Sequence, residues 1–159
     1  MTWMTGSLLR TKFEDIVDKI QRVSNYDNHK IFVGTDSFRC GDVYVYTTAI
    51  CLICKGHQNH CRYFYKKQKL NRDSISGELA VRLFKETTDS VEIANSIKEK
   101  VPGALIEIHL DVSDINANQK TSKWANSLSG IVTGSGFDFK LKPYAIAASS
   151  VADRHTKAI

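Results

Sequence analysis

The sequence predicts an α/β fold: a five-stranded mixed sheet, with a three-strand antiparallel meander and then two parallel strands. Helices cover both faces, and an extra helix precedes the core. Three observations lead there. Residues 30–36, 43–54 and 61–68 are apolar, β-branched and aromatic runs separated by short polar stretches, which is the pattern of a meander. Residues 74–100 carry apolar side chains at helical spacing, enough chain for a right-handed crossover that sets the next strand parallel to the first. Helix and strand patterns then alternate through 104–111, 119–133, 137–142 and 144–156.

Taken in order, Thr11-Lys12-Phe13-Glu14 reads as a capping box, and Phe13, Ile16, Val17 and Ile20 give the following helix one apolar stripe. Asn25-Tyr26-Asp27-Asn28 breaks it. The first strand stops at Gly34-Thr35-Asp36-Ser37, and Cys40-Gly41-Asp42 turns into the second. Lys55-Gly56-His57-Gln58-Asn59-His60 is a hairpin connection to the third. In the long helix Ile75, Leu79, Leu83, Ala94 and Ile97 share one side at about 100° per residue, and Pro102-Gly103 stops it. The fourth strand ends in Asp111. Gly134-Ser135-Gly136 ends the next helix and precedes a strand; a dinucleotide loop would open a helix instead.

With 159 residues, 42% hydrophobic and 25% charged, the chain reads as a single domain, 29–159 forming the core and 1–28 an N-terminal helical extension. No run of about 18 apolar residues suggests a membrane span, and the N-terminus lacks signal-peptide layout, so a cytoplasmic location is expected. The formal charge of +5 favours a polyanionic partner. It is unevenly spread: no Asp or Glu occurs from position 43 to 72, where Lys66, Lys67, Lys69 and Arg72 form a candidate nucleic-acid contact. The same strand also reads as one whose aromatics enter the core while lysines keep an edge soluble. Cys51, Cys54, His57, His60 and Cys61 have ligand-like spacing for zinc. Residues 51 and 54 of one strand face opposite ways, so no zinc site is assigned and free thiols are expected.

The acids give the sharpest reading. Asp36 and Asp111 end two strands that the crossover makes parallel neighbours. Glu86 projects into the apolar arc of the long helix, where a carboxylate is an exception, and Glu92 falls on its solvated side. Asp153 lies in the last turns of the final helix. Each has a plain alternative: Asp36 and Asp111 as turn formers, Glu86 as a surface partner of Arg82, Asp153 as a solvated helix acid.

Four blocks carry a resemblance: Ile31-Phe32-Val33-Gly34-Thr35-Asp36-Ser37, Glu107-Ile108-His109-Leu110-Asp111-Val112, Gly130-Ile131-Val132-Thr133-Gly134-Ser135-Gly136-Phe137, and Lys142-Pro143 with Val151-Ala152-Asp153-Arg154-His155-Thr156-Lys157. In that order they resemble the YkuK-type family, small proteins of RNase H-like fold. The resemblance implies a metal-dependent nuclease with carboxylates on the first strand, the crossover helix, the fourth strand and the last helix. In this chain those are Asp36, Glu86, Asp111 and Asp153, with Glu92 held as the alternative helix acid. Such a site takes two Mg²⁺ or Mn²⁺ ions, hard cations that prefer oxygen ligands. Lys142 would then contact the scissile phosphate, and His155 would assist proton transfer or metal release. The implied partner is RNA, DNA or a hybrid. A nucleic-acid-binding module without catalysis is the rival reading.

Overall fold

The computed structural model describes residues 2–25, 28–54, 60–74 and 77–157. Seven strands form the sheet: β1 (Trp3–Thr5), β2 (Arg10–Thr11), β3 (His29–Cys40), β4 (Val43–Cys54), β5 (His60–Asn71), β6 (Ile106–Ser113) and β7 (Asp138–Lys142). The helices are α1 (Phe13–Val23), α2 (Leu79–Lys100), α3 (Ala125–Gly134) and α4 (Asp153–Thr156), the last preceded by a π turn over Ala147–Ala152. Across the sheet the order is β2-β1-β5-β4-β3-β6-β7.

The meander is present, with β3–β4 and β4–β5 antiparallel, and so are the two parallel pairs, β3–β6 and β6–β7. The sheet is nevertheless seven-stranded rather than five-stranded, and two strands precede the first helix. β1 pairs along the outer edge of β5 and β2 pairs with β1. Residues 3–5 and 10–11, within the expected helical extension, are therefore strands of the sheet. Strands this short carry too few side chains to show an alternation. What places them is Trp3, buried in the main core against Phe13.

Two apolar clusters mark the two faces. On one, Ile16 and Ile20 of α1, Leu83, Ala94 and Ile97 of α2 and Leu128 and Val132 of α3 pack with Ile31, Val33, Ile50, Phe64, Ile108 and Leu110 of the sheet. On the other, the π turn brings Ala147 and Val151 against Phe32, Cys51, Ile53 and Tyr63. Successive strand residues alternate between the faces, so Ile31 and Val33 look toward α2 and Phe32 looks toward the last helix.

Strand and helix ends differ from the sequence reading where hydrogen bonding, invisible in composition, continues or stops an element. β3 runs on to Cys40 and pairs residue for residue with β4, the Cys40–Val43 hairpin turning at Gly41 with φ of 58°. β5 extends to Asn71 and β6 to Ser113. α2 begins at Leu79; Ile75 and residues 55–59 of the hairpin connection lie outside the described residues. Gly77, just before α2, sits against the Tyr44 hydroxyl, which a Cβ would strike. At α1 the Asp15 carboxylate, not Glu14, accepts from Lys12 N–H (3.2 Å) and from the Thr11 hydroxyl (3.4 Å), one residue later than the expected capping box.

Candidate active site

Asp36 lies within β3 and pairs across β4 with Thr47, so it is not a turn residue. The β3–β6 register runs Ile31↔Ile106 to Gly34↔His109, an offset of 75 residues. Asp36 and Asp111 each lie two residues beyond the last pair, Gly34↔His109. Alternation puts both on the face covered by the last helix, since Phe32 and His109 of the same rows stack there at 4.4 Å. Thr156 of that helix, whose hydroxyl donates to Ala152 O at 2.8 Å, lies close enough to Asp36 to lower its pKa. Burial raises the Asp36 pKa, and the charges of Asp111 and Asp153 raise it further, to about 6.

Glu86 reaches the sheet from the α2 face. Its Oε1 accepts the Ser37 hydroxyl at 2.5 Å. Arg82 fixes Ser37 in turn, donating from Nε to Ser37 Oγ (2.9 Å) and from the guanidinium NH₂ to Ser37 O (2.6 Å). Arg82 thus braces Glu86 through Ser37, and its charge lowers the Glu86 pKa although the two form no ion pair among the described residues. Glu86 is buried, which pushes its pKa to about 8 despite the Ser37 hydrogen bond; Asp36 and Asp111 add to the rise. Behind it Ser90 Oγ donates to Thr35 Oγ1 (2.9 Å) and Thr35 to Thr48 (3.0 Å), tying α2 to β3 and β4.

Each of the four acids is thus in the field of at least one other. Cations answer two of them. Lys157 Nζ is 2.6 Å from Asp153 Oδ1. Lys142 Nζ is 3.0 Å from Asp111 Oδ1, but out of line for a hydrogen bond, and that buried oxygen accepts none. The other auxiliary residues lie differently. Glu92 is exposed and its charge acts on Lys66. The buried His155 ring stacks on Tyr65 (3.7 Å) with Nε2 3.3 Å from the Tyr63 hydroxyl. The basic set of the third meander strand is split: Lys66 is over the Trp3 ring and faces α2 and its acids. Lys67 pairs opposite Thr47, on the face of Asp36, and its charge acts on His155. Arg72 stands at the strand's far end beside Asp42 and Asp73.

Four carboxylates are the donor set a hard divalent cation takes, and the unsatisfied Asp111 oxygen fits it. As the side chains stand, no three His, Cys, Asp or Glu among the described residues gather closely enough to hold an ion. Ions would engage them only as Lys142 and Lys157 yield. Of the zinc candidates, Cys51 is buried under the last helix and Cys54 is half-buried, while His57 and the side chains of His60 and Cys61 lie outside the described residues.

Ser37, Thr156 and His109 were not expected in the site. His109 Nδ1 accepts the Ala147 N–H at 2.9 Å while Nε2 meets Glu107 Oε1 at 3.1 Å, so the ring is neutral with its proton on Nε2. Burial lowers its pKa, in keeping with that form. It anchors the π turn that leads to Asp153. Its one sequence signal is its place two residues before Asp111, on the same face. His109→Ala is expected to lower stability by about 2–4 kcal/mol, combining a cavity with an orphaned N–H. It should also speed exchange of the Ala147 amide. His109→Asn, which restores an acceptor, is expected to recover part of both; equal losses in the two variants would refute the anchor.

No helix is long and apolar enough to cross a membrane among the described residues. No curated protein and no solved structure matches the chain. The ribonuclease H-like family model matches residues 11–157, from the start of the first helix to the end of the last, and takes in all four acids. The chain belongs to the ribonuclease H-like family, as the YkuK-type resemblance implied.

Proposed function

We propose that this chain is a metal-dependent nuclease that hydrolyses a nucleic-acid phosphodiester at Asp36, Glu86, Asp111 and Asp153. The observation that carries the reading is that Asp36 and Asp111 lie on one face of adjacent parallel strands, two residues past their last pair. The charges of Asp111 and Asp153 act on Asp36, and those of Asp36 and Asp111 on Glu86. Gathering four carboxylates, only two of them paired with lysines, costs stability, and such a cost is typical of functional sites. Two Mg²⁺ or Mn²⁺ ions, when bound, would activate water and stabilise the leaving oxygen. Asp36 and Asp111 would hold them from the sheet and Asp153 from the helix. Ser37 and Arg82 keep Glu86 oriented, and Lys142, displaced from Asp111, is within reach of the phosphate.

Binding can be read without any substrate. Mg²⁺ at about a hundredfold over its Kd should stabilise the fold by about 2.7 kcal/mol, which is about 5–10 °C for a chain of this size. Asp111→Asn should lose most of that shift. A wild-type chain whose melting temperature ignores both Mg²⁺ and Mn²⁺ would remove the metal site.

The lysines on Asp111 and Asp153 favour a second reading, a nucleic-acid-binding module in which these acids are internally neutralised. Salt-sensitive binding with no metal-stimulated cleavage of RNA, DNA or hybrid would select it.

A further inference from the structure

Past Asp36 the sheet narrows to a tongue. The described β3–β6 pairing ends at Gly34, whereas β3, β4 and β5 stay paired through Cys40↔Val43 and Val43↔Asn71. Residues directly opposite in antiparallel pairs share a face, so two rows can be read across the tongue on the Asp36 side. The first is Asp36, Thr47, Lys67 and the second is Phe38, Val45, Lys69. Among the described contacts of the last helix, His155 lies on Tyr65, one row before the first, and Thr156 acts on Asp36 in the first row. Beyond it Phe38 is 38% exposed and Lys69 is exposed, whereas Val45 between them is buried, so the accessible groups are the two at the row's ends. At about 4.8 Å per strand, Lys67 and Lys69 stand about 10 Å from Asp36 and Phe38. No acid interrupts positions 43–72.

We propose that this face of the tongue is a track for single-stranded nucleic acid, with a base stacked on Phe38 and phosphates held by Lys67 and Lys69. It rests on the nuclease reading of the acids and specifies their substrate as an unpaired strand. A duplex offers a flat sheet face only its phosphates. An exposed ring beside two lysines suits a strand whose bases are free to stack.

The test is fluorescence anisotropy of the full chain in chelator, so that nothing is cleaved, with a mixed-sequence 12-nucleotide single strand and its duplex over a range of salt. The single strand should bind at least about tenfold tighter than the duplex. Phe38→Leu keeps apolar cover but loses the ring, and should weaken single-strand binding by about tenfold, while Phe38→Tyr retains it. Lys67→Gln with Lys69→Gln should flatten the slope of log K against log salt by about 1.4, at about 0.7 per phosphate contact. Lys66→Gln, on the other face, should leave that slope unchanged. Equal or tighter duplex binding, a silent Phe38→Leu or an unchanged double-variant slope each overturns the track. If metal-dependent cleavage survives such a result, the nuclease reading stands without it. If the track binds as described and no metal supports cleavage, the track stands and the nuclease reading falls.

Discussion

Asp36→Asn is expected to abolish metal-dependent cleavage, by a factor of at least about 10³, while leaving a fully folded protein. Asp111→Asn should do the same. The amide keeps the shape but cannot anchor a divalent ion as a carboxylate does. The fold should not suffer. A pKa raised from 3.8 to about 6 means that ionised Asp36 is held in place against burial and two like charges. At about 1.4 kcal/mol per pKa unit, its ionisation costs the metal-free fold roughly 3 kcal/mol by neutral pH. The variant should therefore melt at or above the wild-type temperature at pH 7 in chelator. Full cleavage by either purified variant would end the assignment. Loss of activity together with a large drop in melting temperature would make the residue structural instead.

Glu86→Gln should change how stability depends on pH more than any other single substitution. The folded-state pKa of Glu86 is raised from 4.5 to about 8, so the folded chain binds more protons than the unfolded one between those values. Its contribution is fully present below about pH 4.5 and is lost as pH rises through 8. Asp36 adds a similar loss between about pH 4 and 6. Metal-free wild type should thus weaken steadily from pH 5 to 8, by an amount on the order of several kcal/mol. Glutamine cannot ionise, and its amide oxygen still accepts the Ser37 hydroxyl. The variant should be nearly flat from pH 6 to 8 and more stable than wild type at pH 8. Urea denaturation in chelator at pH 5, 6.5 and 8 would measure it, and a wild-type slope retained above pH 6 would sink the idea. Saturating Mg²⁺ should flatten the wild-type profile too, because bound cations favour the ionised carboxylates.

Much of this architecture was legible because the strands are long and their periods unambiguous. Val43–Cys54 is mostly β-branched and aromatic, and its bounds follow from composition alone. The crossover helix made β6 parallel to β3, and Asp36 and Asp111 each follow the last pair of those strands by two residues. Burial of Glu86 followed from its place in the apolar arc of α2. What stayed hidden depends on contacts between distant segments. β1 and β2 exist because β5 offers an edge and α1 a surface for Trp3, neither of which is visible within Trp3–Thr5. The separation of Lys66 from Lys67 follows from alternation, but a basic run attracts attention as a unit and conceals it. Ser37, beside the expected acid, reads as part of its turn until the strand continues and turns it toward α2.

The π turn over Ala147–Ala152 has a consequence for how this chain can vary. A π turn holds one residue more than the α turn it replaces. That extra residue sets the rotational phase of everything after it, including Asp153, His155 and Thr156. Loss of one residue there would relax the segment into ordinary helix and rotate those side chains by about 100° about its axis. Asp153 would leave its place beside Asp36 although no functional residue had changed identity. The acidic centre therefore depends on a residue count as much as on chemistry, and this segment should be far less forgiving of insertions and deletions than of substitutions.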